Sequence, residues 1–229
     1  MIRSKNYRGI LEKIVPGKEY ELGEAIRVLK ENGKFKFDPS LEIHFNLGVD
    51  PKHSDQVVRG NLVLPHGTGK KVRVLVFAKG EMEKAATQAG ADFVGAEELV
   101  AKIQGGWTDF DAVVATPDMM PLVGKVARVL GPRGLMPSPK AGSVTPNVVQ
   151  VIKELKAGKI SYRVDKGSNV HAPVGKMSFS VEQLKENALK FIESIVKGKP
   201  STSKGVYIKS ITVAGTMTPG IRVDKSIAR

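Results

Sequence analysis

The chain has 229 residues, 36 Lys and Arg against 23 Asp and Glu for a formal net charge of +13, and no cysteine. That length allows one large domain or two ordinary ones, and 41% hydrophobic residues supply real cores and argue against wholesale disorder. The missing thiols exclude disulfides, thiolate metal sites and cysteine nucleophiles and suit a reducing cytosol. No apolar run nears the ~20 residues that span a bilayer, and the opening MIRSKNYRGILEKI lacks the apolar core of a signal peptide.

Tyr7, Ile10, Leu11 and Ile14 share one face of a helix predicted over 5–14, stopped by Pro16–Gly17. Leu22, Ile26 and Leu29 repeat the pattern, and Asn32–Gly33 ends it. After Lys34, Phe35, Lys36 and Phe37, the alternation of Leu41, Ile43, Phe45, Leu47 and Val49 reads as a half-buried strand. Residues 50–58 form a polar loop, and 61–64 a short strand closed by Pro65–His66–Gly67.

The pattern then changes. VRVLVFA over 72–78 reads as a strand buried on both faces. Helices over 81–89 and 96–103 alternate with short strands at 92–94 and 111–115, the βαβ signature of an open parallel sheet. Thr116–Pro117 is expected to start a helix with the hydroxyl as its cap. Leu130 to Val144 is too rich in Gly and Pro for regular structure, and Thr145–Pro146 is expected to cap a helix with Val148, Val149, Ile152 and Leu155 inward.

After Gly158 the alternating style returns. Ile160, Tyr162 and Val164 form a strand that runs into Asp165–Phe179. There Val174, Lys176 and Ser178, set against Gly175, Met177 and Phe179, predict a strand with Lys176 and Ser178 on one face, beside a glycine turn. Such a face suits a phosphate backbone, and it equally suits an ordinary hairpin with solvated lysines. Ser180 caps a helix with Val181, Leu184, Ala188, Phe191, Ile192 and Ile195 inward; strands over 205–213 and 221–223 follow, joined by AGTMTPG. The organisation is therefore a discontinuous α+β domain, residues 1–66 and 159–229, carrying an inserted βα domain of residues 67–158. The short linkers near Pro65–Gly67 and Gly158–Lys159 lie side by side as a hinge.

Charge follows this division. Residues 1–66 carry a net +2, residues 67–158 a net +3 and residues 159–229 a net +8. A localised basic excess favours a polyanion, and without a strongly basic amphipathic helix bearing a Trp/Phe face, nucleic acid leads over membrane. Gly67–Thr68–Gly69–Lys70 lacks P-loop spacing, and no GxGxxG follows the 72–78 strand. Gly131–Pro132–Arg133–Gly134 matches GxxG outside any KH-like context, and no RNP1 string occurs. The four histidines show no ligand spacing, and no GxSxG or set pair of carboxylates appears. One of Phe35 and Phe37 belongs to the core, and the other is free to stack on a base or ribose, with Phe37 the candidate. His171, beside Lys166 and Lys176, can donate to a phosphate. Met217 on a Gly/Thr/Pro loop is an apolar tip that a partner would cover.

SDQVVRG (54–60), LPHGTGK (64–70), FDAVVATPDMM (110–120), LGPRGLMPSPKAG (130–142) and HAPVGKMSF (171–179) together resemble the bacterial ribosomal L-one family, over essentially the whole chain. The resemblance implies a cytoplasmic, ribosome-associated RNA-binding protein without enzymatic activity or cofactor, monomeric when free, in the mobile side stalk of the large subunit. It implies a Rossmann-like three-layer inserted domain, large-subunit rRNA and exit-site tRNA as partners, and repression of its own operon through the mRNA. By position, the family's RNA face falls on Lys36, Phe37, Lys166, His171, Lys176, Ser178, Thr216 and Met217. Thr218 stands where the family carries glycine, and a β-branched residue suits neither positive φ nor close RNA approach. The rival reading is a phosphate- or nucleotide-handling enzyme built on the inserted domain.

Overall fold

The computed structural model describes residues 3–33 and 35–228. Lys34, the first residue of the Lys/Phe alternation, and Met1 and Ile2 of the opening segment lie outside them. In chain order, α1 (Lys5–Leu11) is capped by the Ser4 hydroxyl, and α2 (Leu22–Asn32) buries Leu22, Ala25, Ile26 and Leu29. β1 (Ser40–Leu47) alternates as its sequence does, and β2 (Arg59–Val63) follows the polar loop. Then come β3 (Val74–Phe77), α3 (Glu81–Gln88), β4 (Phe93–Gly95), α4 (Glu97–Gln104) and β5 (Ala112–Ala115). Two short helices, α5 (Met120–Gly124) and α6 (Ala127–Leu130), precede α7 (Val148–Lys156). β6 (Lys159–Arg163), β7 (Asn169–Lys176), α8 (Val181–Lys197), β8 (Ile208–Gly215) and β9 (Ile221–Val223) complete the chain.

The chain divides into two compact units, Met1–Lys70 with Ile160–Arg229, and Lys71–Lys159. In the first unit, β1 is the centre of an antiparallel sheet ordered β7-β1-β8-β9. Leu41, Ile43, Phe45 and Leu47 face α2 and α8, where the Phe45 and Phe191 rings meet edge-on at 5.7 Å. Burying a side chain of that size contributes about 1.5–3 kcal/mol. β2 pairs with β6 in a separate two-stranded sheet. In the second unit, β3 lies between β4 and β5 in a parallel sheet. Leu75 and Phe77 point into one apolar cluster, and Val74 and Val76 into another, so both faces are covered, which is why the strand reads as an unbroken apolar run.

Several expectations are corrected. In the first helix only Ile10 is buried, and Leu11 is exposed. Thr116 makes no side-chain cap; Pro117 opens a 3-10 turn instead, and the segment breaks into short helices. Asn147, not Thr145, caps α7, accepting from the Gln150 N–H, and the buried residues are Val148, Val151 and Ile152. The region 130–144 is not wholly irregular, because Pro139–Ala141 forms a 3-10 turn. The strand expected over 174–179 stops at Lys176, and Met177–Phe179 turn back toward α8. Its partner β1 begins at Ser40, opposite Lys176, and a bulge changes the faces before that point: Leu41 pairs with Gly175 but Glu42 with Pro173, so Val174 is the extra residue. It leaves Val174 inward and returns Lys176 to the outer face, opposite Ser40.

Candidate nucleic-acid interface

Antiparallel pairing on both sides of β1 fixes what meets at its start. Ser40 pairs with Lys176 at the end of β7, and Leu41 pairs with Gly215 at the end of β8. Three segments therefore converge on one sheet edge: the 36–39 approach, the 176–179 turn and the 215–218 turn. Side chains tie them together. The Asp38 carboxylate accepts from the Ser178 N–H at 3.1 Å and from its hydroxyl at 2.7 Å. The Lys176 ammonium donates to Ser40 Oγ at 2.9 Å and to the Asp38 carbonyl at 3.3 Å. Two acceptors hold the lysine in place, and its third N–H stays available to an anion. Thr216 Oγ1 accepts from the Ser40 N–H at 3.1 Å, and the Thr216 N–H donates to the Ser40 carbonyl.

Two apolar side chains stand out from this polar lattice. Phe37 is 49% exposed, with its ring 5.7 Å from that of Phe35, which packs against the core. Met217 is 74% exposed and sits at φ +66. Gly215 to Thr218 is a turn closed by the Thr218 N–H on the Gly215 carbonyl. Positive φ at the third residue marks a type II turn, where glycine is the usual occupant. The left-handed residue is thus Met217 and not Thr218, which corrects the expectation that Thr218 burdens the loop. The Thr218 hydroxyl instead accepts from the Gly215 N–H at 2.8 Å and has the 215 and 219 carbonyls, each at 3.1 Å, as acceptors for its single proton, closing the turn from within. A Cβ at Gly215 would meet the Met177 methyl, so that side chain would have to shift to admit one.

Lys36, Phe37, Lys176, Ser178, Thr216, Met217 and Thr218 are therefore brought to one edge. Lys166 and His171 are not. His171 lies mid-strand, paired with His44, and Lys166 lies in the turn before β7. At roughly 3.3 Å per residue, the eight residues of β7 separate the two ends by about 25 Å.

The outer face between these ends is polar, and sequence reasoning misses most of it. His44 Nδ1 and His171 Nδ1 are 2.8 Å apart, and Asn46 donates to Asn169 at 2.8 Å. Thr212 and Ser210 of β8 lie opposite His44 and Asn46. The signal is present: in SLEIHFNL the residues between the apolar ones are Ser40, Glu42, His44 and Asn46. Asp38 leaves no such signal. Burial, then the neighbouring His171, pushes His44 below the usual histidine value. Asp165 is held below the usual carboxylate range by the Asn169 N–H above all, helped by the Gly167 N–H and the His171 side chain. Among the described residues no group of three His, Asp or Glu side chains could hold a metal ion, and no helix is long and apolar enough to cross a membrane.

A family model described as "Ribosomal protein L1p/L10e family" matches residues 29–219. The chain is similar to the large ribosomal subunit protein uL1 of Chlorobaculum tepidum, 55% identical over 221 residues, which are 96% of this chain and 96% of that protein.

Proposed function

Because the chain belongs to the ribosomal protein L1p/L10e family, a family of structural rather than enzymatic proteins of the large ribosomal subunit, we propose that it binds large-subunit rRNA through the convergent edge of its four-stranded sheet. The observation that carries this reading is the joining of a poised ammonium, Lys176, and two exposed apolar tips, Phe37 and Met217, through Asp38, Ser40 and Thr216. The lysines position the phosphate backbone, and the apolar tips pack on bases or riboses.

The same edge serves the finer roles that the resemblance implies: formation of a mobile stalk that meets exit-site tRNA, and repression of the chain's own operon through an mRNA copy of the rRNA site. Competition between the operon leader transcript and rRNA for the purified protein tests the second role. The Lys71–Lys159 unit is read as a Rossmann-like inserted domain, supported by its parallel sheet with clusters on both faces. Nucleotide handling by that unit is set aside, because the family is not enzymatic.

Filter binding to a large-subunit RNA fragment tests the central claim. Base–aromatic stacking is worth about 1–3 kcal/mol, so Phe37→Ala should weaken binding by about 5–150-fold, and Met217→Ala, which loses an apolar contact, should weaken it too, both at unchanged unfolding midpoint. Unchanged affinity in both variants rejects the assignment. Binding should also fall with salt, each phosphate contact adding about 0.7–0.9 to the log–log slope.

A further inference from the structure

His44 of β1 and His171 of β7 stand directly opposite each other on the outer face of the four-stranded sheet. β1 is paired on both sides, to β7 and to β8, so the ladder fixes where both side chains start. The two rings meet at 64° with centroids 5.0 Å apart, and their Nδ1 atoms lie 2.8 Å from each other. Each Nε2 instead faces a carboxylate. Glu42 is 4.0 Å from that of His44, and Asp165 is 3.6 Å from that of His171. Both rings reach solvent, His171 more than His44. The other two histidines lack this arrangement, His53 meeting only Asp50 and His66 only Glu186.

We propose that His44 and His171 form a binding site for one divalent transition-metal ion, held by the two Nδ1 atoms across the β1–β7 ladder. The site stands apart from the RNA-binding reading and does not depend on it. Two nitrogens about 2.0 Å from one ion and at right angles to each other are about 2.8 Å apart, whereas tetrahedral ligation spreads them to about 3.3 Å. The observed spacing matches the first, so the pair suits a tetragonal ion, Cu2+ or Ni2+, better than Zn2+. In the neutral pair one Nδ1 donates its proton to the other. Moving that proton to the Nε2 of the same ring frees both lone pairs with no change in charge. The rings then turn until both lone pairs aim at one point beside the N–N line. Glu42 and Asp165 accept from the two Nε2–H groups, directly or through water, which is how metal-bound imidazoles are oriented. No third imidazole or carboxylate among the described residues joins the pair, so water completes the shell and the ion exchanges freely.

The full chain in metal-free buffer at neutral pH is titrated with CuCl2. One equivalent should bind with an electron paramagnetic resonance spectrum that shows two nitrogen ligands. The thermal midpoint should rise as the site fills, because the ion binds the folded chain and the unfolded chain holds no such pair. His44→Gln and His171→Gln should each weaken binding by at least about tenfold and remove one nitrogen from the spectrum, while His53→Gln binds as the parent does. Circular dichroism of the metal-free variants checks that the sheet is intact. Retention of parental affinity in both single variants, loss of binding in His53→Gln, or copper in excess that keeps the spectrum of the free ion would each overturn the proposal and leave a hydrogen-bonded pair and nothing more. Tighter binding of Zn2+ than of Ni2+ would also overturn it, because the choice of ion follows from the spacing.

Discussion

Met217 is a non-glycine residue held in the left-handed region at the tip of a type II turn, and such a placement costs about 1–3 kcal/mol. Nothing in the fold uses its side chain, which is 74% exposed. On the proposed RNA-binding reading, the strain is retained for the contact this side chain makes with RNA. Met217→Gly should raise or preserve the urea midpoint, because relief of strain at least offsets the added freedom of the unfolded glycine. Met217→Ala, which keeps the unfavourable φ, should not raise it. Both should lose RNA affinity. A glycine variant that binds RNA as well as the parent would remove the reason for the strain.

His44 gives a residue-scale prediction with a definite sign. Its folded-state pKa is lowered by burial and by His171, so the unfolded chain takes up a proton that the folded chain resists. The stability this contributes is present above the ordinary histidine value of about 6.5 and is lost as pH falls through it. His44→Gln should flatten that part of the stability profile, read from urea midpoints at several pH values. Asp165, lowered chiefly by its hydrogen bond from the Asn169 backbone, acts the same way further down, its contribution fading below about pH 4.

At the scale of elements, the joins matter more than the pieces. α8 carries a fully buried polar side chain, Asn187. Its Oδ1 accepts from the His66 N–H at 3.0 Å, and its Nδ2 donates to the carbonyls of Gly67 at 2.9 Å and Val174 at 2.8 Å. One residue thus ties the loop after β2 and the bulge of β7 to the helix between them in space. Asn187→Ala leaves three backbone groups without partners. Each unsatisfied group costs about 1–3 kcal/mol, and entry of water returns part of that, so a net loss of about 2–4 kcal/mol is expected in equilibrium denaturation.

Neither the role of Asn187 nor the bulge is legible in the sequence, and for one reason. Periodicity reports which face of one element is buried, not which backbone groups of another element need a donor. β1 is readable because its alternation is unbroken, and α8 because its apolar face recurs over 17 residues and its start is fixed by a Ser180–Gln183 capping box. The end of β7 is not, because the register changes at Val174 and no local pattern encodes that. The seven residues of the convergent edge are nameable through the family resemblance. Their joining through Asp38, Ser40 and Thr216 is a tertiary fact, and so is the absence of Lys166 from that edge.

At the scale of the whole molecule, the first unit contains everything its own core requires. Every buried residue of its apolar cluster, from Ile10 to Val223, comes from the two outer segments and none from 71–159. The charge is divided unevenly too: eight of the thirteen excess positive charges lie in residues 159–229. If affinity is electrostatic and resides in this unit, replacing 71–159 by a flexible Gly/Ser linker should leave a cooperative unfolding transition and most of the RNA affinity. It should also leave the salt slope nearly unchanged, because that slope counts neutralised phosphates rather than protein mass. Isothermal titration against large-subunit RNA at several salt concentrations reads both quantities. A slope that falls by two or more contacts would mean that Lys125, Arg128, Arg133, Lys140 and Lys153 of the second unit also meet the RNA backbone, and the interface would then have to be drawn across both units.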